Sequence, residues 1–289
     1  MRLALLTLLT MIAFAGNSVL NRMAVGQGLI DPMPFAAVRV IAGAVILAGL
    51  VGFRGRFRPG WAGRGSGVGG LALYLIGFSL AYAALDAGTG ALILFGAVQI
   101  TMFAGAILAA EAVPLRRWAG AGVAFLGLLL LLLPGSAAPS LWHAGLMAAA
   151  GIGWGIYSLA GRGQADALGA TAANFLLAVP LLAFACWIAG WGAPTSLGIG
   201  LAVLSGAVTS GLGYALWYRL VPALGAARAG LAQLTVPVIA AGGGAMLLGE
   251  AVGLRFLLAT LLVLGGVAWA SMPQRRAGQD HRTITSSGS

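Results

Sequence analysis

Runs of apolar residues, each about as long as a bilayer core is thick, alternate along this chain with short polar or Gly/Pro-rich breaks. A helix crosses the hydrocarbon core with about twenty apolar residues. The pattern predicts ten such spans, at roughly 3–21, 33–52, 67–85, 89–110, 116–134, 141–160, 169–189, 197–218, 226–249 and 252–271. Junctions are marked by Asp31-Pro32-Met33-Pro34, Pro134-Gly135 and Ala193-Pro194, where proline and glycine interrupt helical continuity. The fold class is therefore an all-α polytopic membrane protein with ten transmembrane helices. The first run begins like a signal peptide, with Arg2 ahead of an apolar stretch and Ala13-Phe14-Ala15 as a cleavage-like site. Its apolar character continues past Ala15, so it is read as a retained first helix.

Composition supports the same solvent. The 289 residues are 60% hydrophobic and 8% charged, whereas soluble domains carry about 25% charged residues. The 47 glycines suit close packing of helices in lipid, where small residues let backbones approach. A net charge of +10 would suggest nucleic acid, but the placement of the charges excludes it. All sixteen basic residues are arginine, clustered between apolar runs. With the N-terminus inside, thirteen of the sixteen fall in cytoplasmic segments, among them Arg54, Arg56, Arg58, Arg64, Arg116 and Arg117. Only Arg22 and Arg255 fall outside, and Arg39 lies within the second helix. Basic loops stay cytoplasmic, so both termini are expected there, in a bacterial inner membrane. The one cysteine, Cys186, excludes a disulfide framework.

The two halves repeat. Glu111-Ala112-Val113-Pro114-Leu115-Arg116 aligns with Glu250-Ala251-Val252-Gly253-Leu254-Arg255 at an offset of 139, which also carries Gly105 to Gly244, Gly127 to Gly266 and Pro134 to Pro273. Phe14 and Arg22 meet Trp154 and Arg162 at an offset of 140, and Phe78 and Tyr82 meet Tyr214 and Tyr218 at 136. Five helices is an odd number, so the second copy enters the membrane inverted. The predicted organisation is a first repeat at 1–138, an inverted second at 139–272 and a disordered cytoplasmic tail at 273–289. Inverted repeats recur in secondary transporters, with the cargo site near the midplane between them.

Ten helices as five plus five, with glutamates 111 and 250 closing the fourth and ninth helices ahead of a short glycine-rich helix, resemble the drug/metabolite transporter superfamily and its EamA-type members. The family's proline, thirteen residues before the second glutamate, stands here as Pro237; the matching first-half position is Val98 beside Gln99, a departure. The aromatic content of helices three, six and eight and the Gly96-Ala97-Val98-Gln99 run are similar to bacterial aromatic amino-acid exporters. The resemblance covers the chain to about residue 272 and implies efflux of amino acids or similar metabolites by alternating access.

Aromatic residues at helical spacing outline a candidate cavity. Tyr74, Phe78 and Tyr82 share one face of the third helix; Trp154 and Tyr157 lie in the sixth beside small glycines; Tyr214, Trp217 and Tyr218 lie in the eighth. Asn17, Gln99, Asn174 and Gln233 are available for polar ends of a cargo, and Asn17 and Gln99 are costly in lipid unless paired or facing a cavity. Tyr82 and Tyr218, near helix ends, also suit an interfacial aromatic belt. Arg39, read as some five residues into the second helix, either receives a substrate carboxylate, or snorkels to the outer interface or pairs with an interfacial acid. The substrate-binding set is thus Asn17, Arg39, Tyr74, Phe78, Tyr82, Gln99, Trp154, Tyr157 and Tyr214.

Every carboxylate falls near a helix end or in a loop or tail: Asp31, Asp86, Glu111, Asp166, Glu250 and Asp280. Glu111, Glu250 and Asp86 read as caps and loop anchors. Without an acid deep in the membrane, the expectation is a facilitator rather than a proton antiporter. Pro180 and Pro237 are expected inside helices seven and nine as kinks, and His143 as an interfacial residue. No metal-ligand spacing, nucleophile motif or Walker lysine occurs, so neither an enzyme, a cofactor nor an ATP-driven pump is expected. The leading reading is a monomeric exporter of amino acids or metabolites. A broad drug exporter is the second reading and a non-transporting membrane interaction protein the third.

Overall fold

A computed structural model describes residues 2–53, 63–110, 115–134, 138–161, 164, 166–224 and 232–271. Glu111, Arg54, Arg56, Arg58, Arg162 and the tail, all named above, lie outside the described residues. Ten helices carry the rest: α1 (Arg2–Gly26), α2 (Pro32–Gly52), α3 (Gly65–Ala81), α4 (Ala87–Leu108), α5 (Leu115–Leu132), α6 (Leu141–Ala160), α7 (Ala167–Ala189), α8, α9 (Val236–Leu248) and α10 (Leu254–Ser271). Helix α8 starts as Ser196–Leu204, passes through a π-helical stretch, Ser205–Leu212, and resumes as Gly213–Leu224. Six of these helices are long and apolar enough to cross a membrane, and α3, α9 and α10 are apolar but shorter. No strand occurs among the described residues.

The bundle has a proximal face, where α1 begins, and a distal face, where it ends. Arg64, ahead of α3, donates to the Ala170 carbonyl in the first turn of α7 on the proximal face. Arg255, at the start of α10, donates to the Leu133 carbonyl after α5 on the distal face. Thr195, which caps α8 through the Gly198 N–H, also donates from its own N–H and hydroxyl to the Leu29 carbonyl after α1. These stitches make successive helices run in alternate directions, as short connections require.

Helix α3 packs on α6, α2 on α7, α4 on α6 and α9, and α1 on α8 and α9; α5 and α10 pair at the edge of the bundle. Exchanging each helix for the one five further on leaves this set of pairs unchanged. The closest approaches need glycine. A Cβ on Gly153 of α6 would stand 2.6 Å from the Gly70 carbonyl oxygen of α3, and one on Gly266 of α10 would stand 2.5 Å from the Gly120 carbonyl of α5. Outward, the surface is aliphatic, with exposed Trp142, Trp187 and Trp191 at distal helix ends and Trp118 and Trp269 at proximal ones, the placement of an interfacial tryptophan belt.

Two element boundaries depart from the sequence reading. Helix α1 runs to Gly26, because Asn21 and Arg22 find partners inside the protein and need no solvent. Pro237 is in the first turn of α9, with a turn at Leu234–Thr235 ahead of it, so it opens a helix instead of kinking one; proline lacks only an N–H that is unused there. Pro180 is inside α7 as expected. Ala13-Phe14-Ala15 is continuous helix, with Phe14 and Ala15 buried.

Candidate functional site

The inner faces of α1, α3, α4, α6 and α8 meet around a small chamber in the middle of the bundle. Phe14, Phe78, Leu94 and Phe95 form its apolar wall, Tyr74, Trp154 and Tyr214 its amphipathic one, and Asn17 and Ser18 its polar floor. The glycines of α6 bring its backbone against α3 and α4, which turns Trp154 into the space between helices. Its ring centroid lies 4.9 Å from Tyr74, 5.0 Å from Tyr214 and 5.3 Å from Tyr157. Tyr214 meets Phe14 edge-on at 5.6 Å. Tyr74 continues to Phe78 at 5.1 Å and Phe78 to Tyr82 at 4.8 Å, so aromatic rings run unbroken from Tyr157 on the proximal side to Tyr82 on the distal side.

Against two of these rings sits a charge. Arg39 is fully buried, seven residues beyond the start of α2, or ~10 Å along it. Its guanidinium lies 5.2 Å from the Tyr74 ring and 4.9 Å from Phe78. Nη2 donates to the Tyr74 hydroxyl at 2.8 Å and Nε to Ser210 Oγ at 3.1 Å, while Nη1 has no hydrogen-bond partner. The ion pairs among the described residues are those of Arg22; none includes Arg39. The snorkelling alternative therefore fails: the side chain does not reach the interface, and no acid there pairs with it.

Ser210 links Arg39 to Asn17. The Asn17 side-chain carbonyl accepts from Ser205 at 2.9 Å, from Ser210 at 3.2 Å and from Thr209. All three donors come from the π-helical stretch of α8, whose wider turn brings 205, 209 and 210 to one side. Such segments are rare and often mark functional positions. Asn17 thus meets both conditions for a polar group in lipid, being paired and facing the chamber.

On the distal face a latch closes the bundle. Arg22, in the last turns of α1, reaches Glu250 Oε1 at 3.0 Å and Asp86 at 3.5 Å, and donates to the carbonyls of Tyr82 and Ala83. Glu250 Oε2 accepts the Ala87 N–H at 2.9 Å. The Glu250 carboxylate therefore does cap a helix, but it is the facing α4 and not the α10 that follows it. Its side chain is 10% exposed; burial pushes its pKa up from the ordinary carboxylate value, against the Ala87 N–H and Arg22, which favour the charged form. Asp86 stands at the N-cap of α4 without a capping bond and serves as a second anion for Arg22. Beneath the latch Tyr82 is fully buried and donates to the Ala87 carbonyl at 3.2 Å, so it is a plug and not part of an interfacial belt.

Toward the proximal side a second small cavity, a vestibule, is lined by Arg64, Gly67, Tyr157, Gln164, Thr171 and Asn174, among others. Tyr157 donates to Thr171 Oγ1 at 2.9 Å and, packed at a tilt against Trp154, separates vestibule from chamber. Of the nine residues the sequence singles out, Asn17, Tyr74, Phe78, Trp154 and Tyr214 line the chamber, Arg39 stands behind two of its rings, and Tyr157 and Tyr82 bound it on either side. Gln99 is the outlier: it is half-buried on α4, one turn beyond Phe95, and is not among the lining residues. Its neighbour Ile100 faces outward, so the polar side chain sits on a flank of the helix. Missed altogether were Phe14 and Phe95 as chamber walls, the serine and threonine cluster, and Arg22 as a latch. Ser205 and Thr209 share a face by i, i+4 spacing, but Ser210 joins them only through the π-helical turn. His143 bonds with Ser140 at the exposed start of α6, and no cluster of metal-ligating side chains occurs among the described residues.

Residues 141–272 match the EamA-like transporter family. An uncharacterized protein of Pseudomonas aeruginosa is 47% identical over 282 residues, which cover 94% of this chain and 96% of that relative. A solved crystal structure of a protein superposes with a TM-score of 0.65 at 22% identity, covering 90% of this chain and 96% of the other; the likeness there is one of fold.

Proposed function

This chain belongs to the EamA-like transporter family and is a multi-pass membrane transporter of small molecules, and from that premise we propose that it exports amino acids or related metabolites by alternating access. The observation that carries the reading is a chamber of mixed aromatic and polar lining, latched on one side and facing a vestibule on the other. Cargo enters from the proximal side past Tyr157, rests on Trp154, Tyr74 and Tyr214, and leaves when the Arg22 latch opens. The set of helix pairs, unchanged by a five-helix exchange, supports two inverted repeats divided near residue 138, since such repeats rock into equivalent inward- and outward-open forms. The proximal face is taken as cytoplasmic, on the arginine distribution, with the chain working as a monomer in the inner membrane.

Energy coupling follows from the lining. Among the described residues no carboxylate borders the chamber, so cargo is moved down its own gradient and protons are not exchanged for it. Flux of radiolabelled phenylalanine, methionine, threonine and alanine in proteoliposomes, with and without a pH gradient, tests this. Saturable downhill flux that falls about tenfold or more in Trp154→Ala is expected, because removing a ring that contacts three others opens the pocket. Uphill accumulation driven by the pH gradient overturns the facilitative mechanism, and absence of flux from folded protein overturns export of these amino acids.

A further inference from the structure

Resting on the transport reading, we infer that Arg39 is an anion site and that the preferred cargo is a carboxylate with an apolar or aromatic body and no ammonium group. A guanidinium keeps its proton at any physiological pH, and a buried charge without a counter-charge is costly. Here the charge is fully buried, rests on the faces of Tyr74 and Phe78, and keeps one nitrogen, Nη1, free of any hydrogen bond. Its two satisfied nitrogens are held by neutral hydroxyls of Tyr74 and Ser210, which orient the fork without cancelling its charge. A carboxylate drawn in beside Tyr74 neutralises the site, and it accepts from Nη1 once the Tyr74 side chain, which stands between chamber and guanidinium, swings aside. Tyr74 is part of the chamber wall and its hydroxyl accepts from Arg39, so the boundary between cargo and guanidinium is one side chain thick.

The ammonium of an amino acid has no corresponding place. No carboxylate lines the chamber among the described residues. The Asn17 carbonyl, the natural acceptor on the polar floor, is already taken by three hydroxyls. One face each of Tyr74 and Phe78 is occupied by Arg39, and an ammonium set on the remaining rings of the chamber would lie close to that like charge. A zwitterion leaves the site with its net positive charge and sets an ammonium beside it, whereas a simple carboxylate leaves it neutral. The cargo must therefore carry the anion at one end and fit its body among Phe14, Trp154 and Tyr214.

The test compares three probes of one shape, 3-phenylpropanoate, phenylalanine and phenethylamine, by tryptophan fluorescence titration of the purified full chain and by flux in proteoliposomes. The inference expects 3-phenylpropanoate to bind about tenfold or more tighter than phenylalanine, with phenethylamine not competing. Arg39→Gln should lose that preference and Arg39→Lys keep part of it, since Lys retains the charge without the fork. If Arg39→Gln does not fold, Tyr74→Phe, which frees the guanidinium from its hydroxyl, is the second variant, and it should shift carboxylate affinity while leaving phenethylamine without effect. Equal or tighter binding of phenylalanine, or an unchanged preference in both folded variants, overturns the inference. Phenylalanine flux without carboxylate preference overturns it while leaving the export reading intact. Carboxylate binding without flux of any probe sustains the anion site and overturns the export reading instead.

Discussion

Arg22 and Glu250 are separated by 228 residues, and neither position in the sequence announces the other. Each reads locally, as an outer arginine and a helix-end acid, because a contact across the bundle leaves no periodic trace. Their pairing has two consequences. Replacing Arg22 by Gln leaves a largely buried carboxylate without its cation, at a cost of about 1–3 kcal/mol. The same change is expected to admit thiol reagents from the distal side to a cysteine placed at Ser18, which borders the chamber; an unchanged labelling rate would mean that the latch does not gate. The second consequence concerns pH. The folded-state pKa of Glu250 is raised, so the folded chain holds that proton more tightly than the unfolded one. The site's contribution to stability is therefore full at low pH and declines as pH rises from the ordinary carboxylate value of about 4 through the raised one. Thermal unfolding of the wild type and Glu250→Gln across this range should show the wild type's margin shrinking as pH increases. A constant margin would contradict the burial of this carboxyl.

At the scale of elements, apolar run length was enough to locate all ten helices, since lipid leaves the backbone no other way to satisfy its hydrogen bonds. Boundaries were less legible. The α1 end was misread because polar residues normally mark an exit from the membrane, and here Asn21 is buried against Ser79. The break before Val236 and the π-helical turn of α8 were invisible, because both are decided by how neighbouring helices press on the backbone. Glycine, by contrast, carries a contrast that can be tested within one helix. Gly153 faces the α3 backbone, while Gly145, two turns earlier on α6, has open space. Gly153→Ala should lower stability by about 1–3 kcal/mol through overpacking. Gly145→Ala should be neutral or stabilising by about 0.4–1 kcal/mol through the unfolded chain. Thermal unfolding of the purified variants checks both, and equal effects would mean that α3 and α6 are not in backbone contact there.

For the whole molecule, arginine placement predicts that a fluorescent protein able to mature only in the cytoplasm will fluoresce when fused after Ser289; a dark, full-length fusion would reverse the topology. Membrane residence and helix number are readable along the chain, for a physical reason: they depend on how many apolar residues follow one another and where the breaks between them fall. The aromatic chamber was half readable, since Tyr74 and Phe78 share a face by helical spacing alone, while Phe14 and Phe95 enter it only because α1 and α4 turn those faces inward. Arg39 marks the limit most clearly. Sequence offered a carboxylate receptor or a snorkelling side chain with equal reason, because both need only a cation near a helix end. Burial depth, the hydroxyls that hold two of its nitrogens and the absence of an acid beside it among the described residues are set by α2, α3 and α8 together. Local chemistry is written in order along the chain, but the environment of a charge is set by whatever the fold brings up against it.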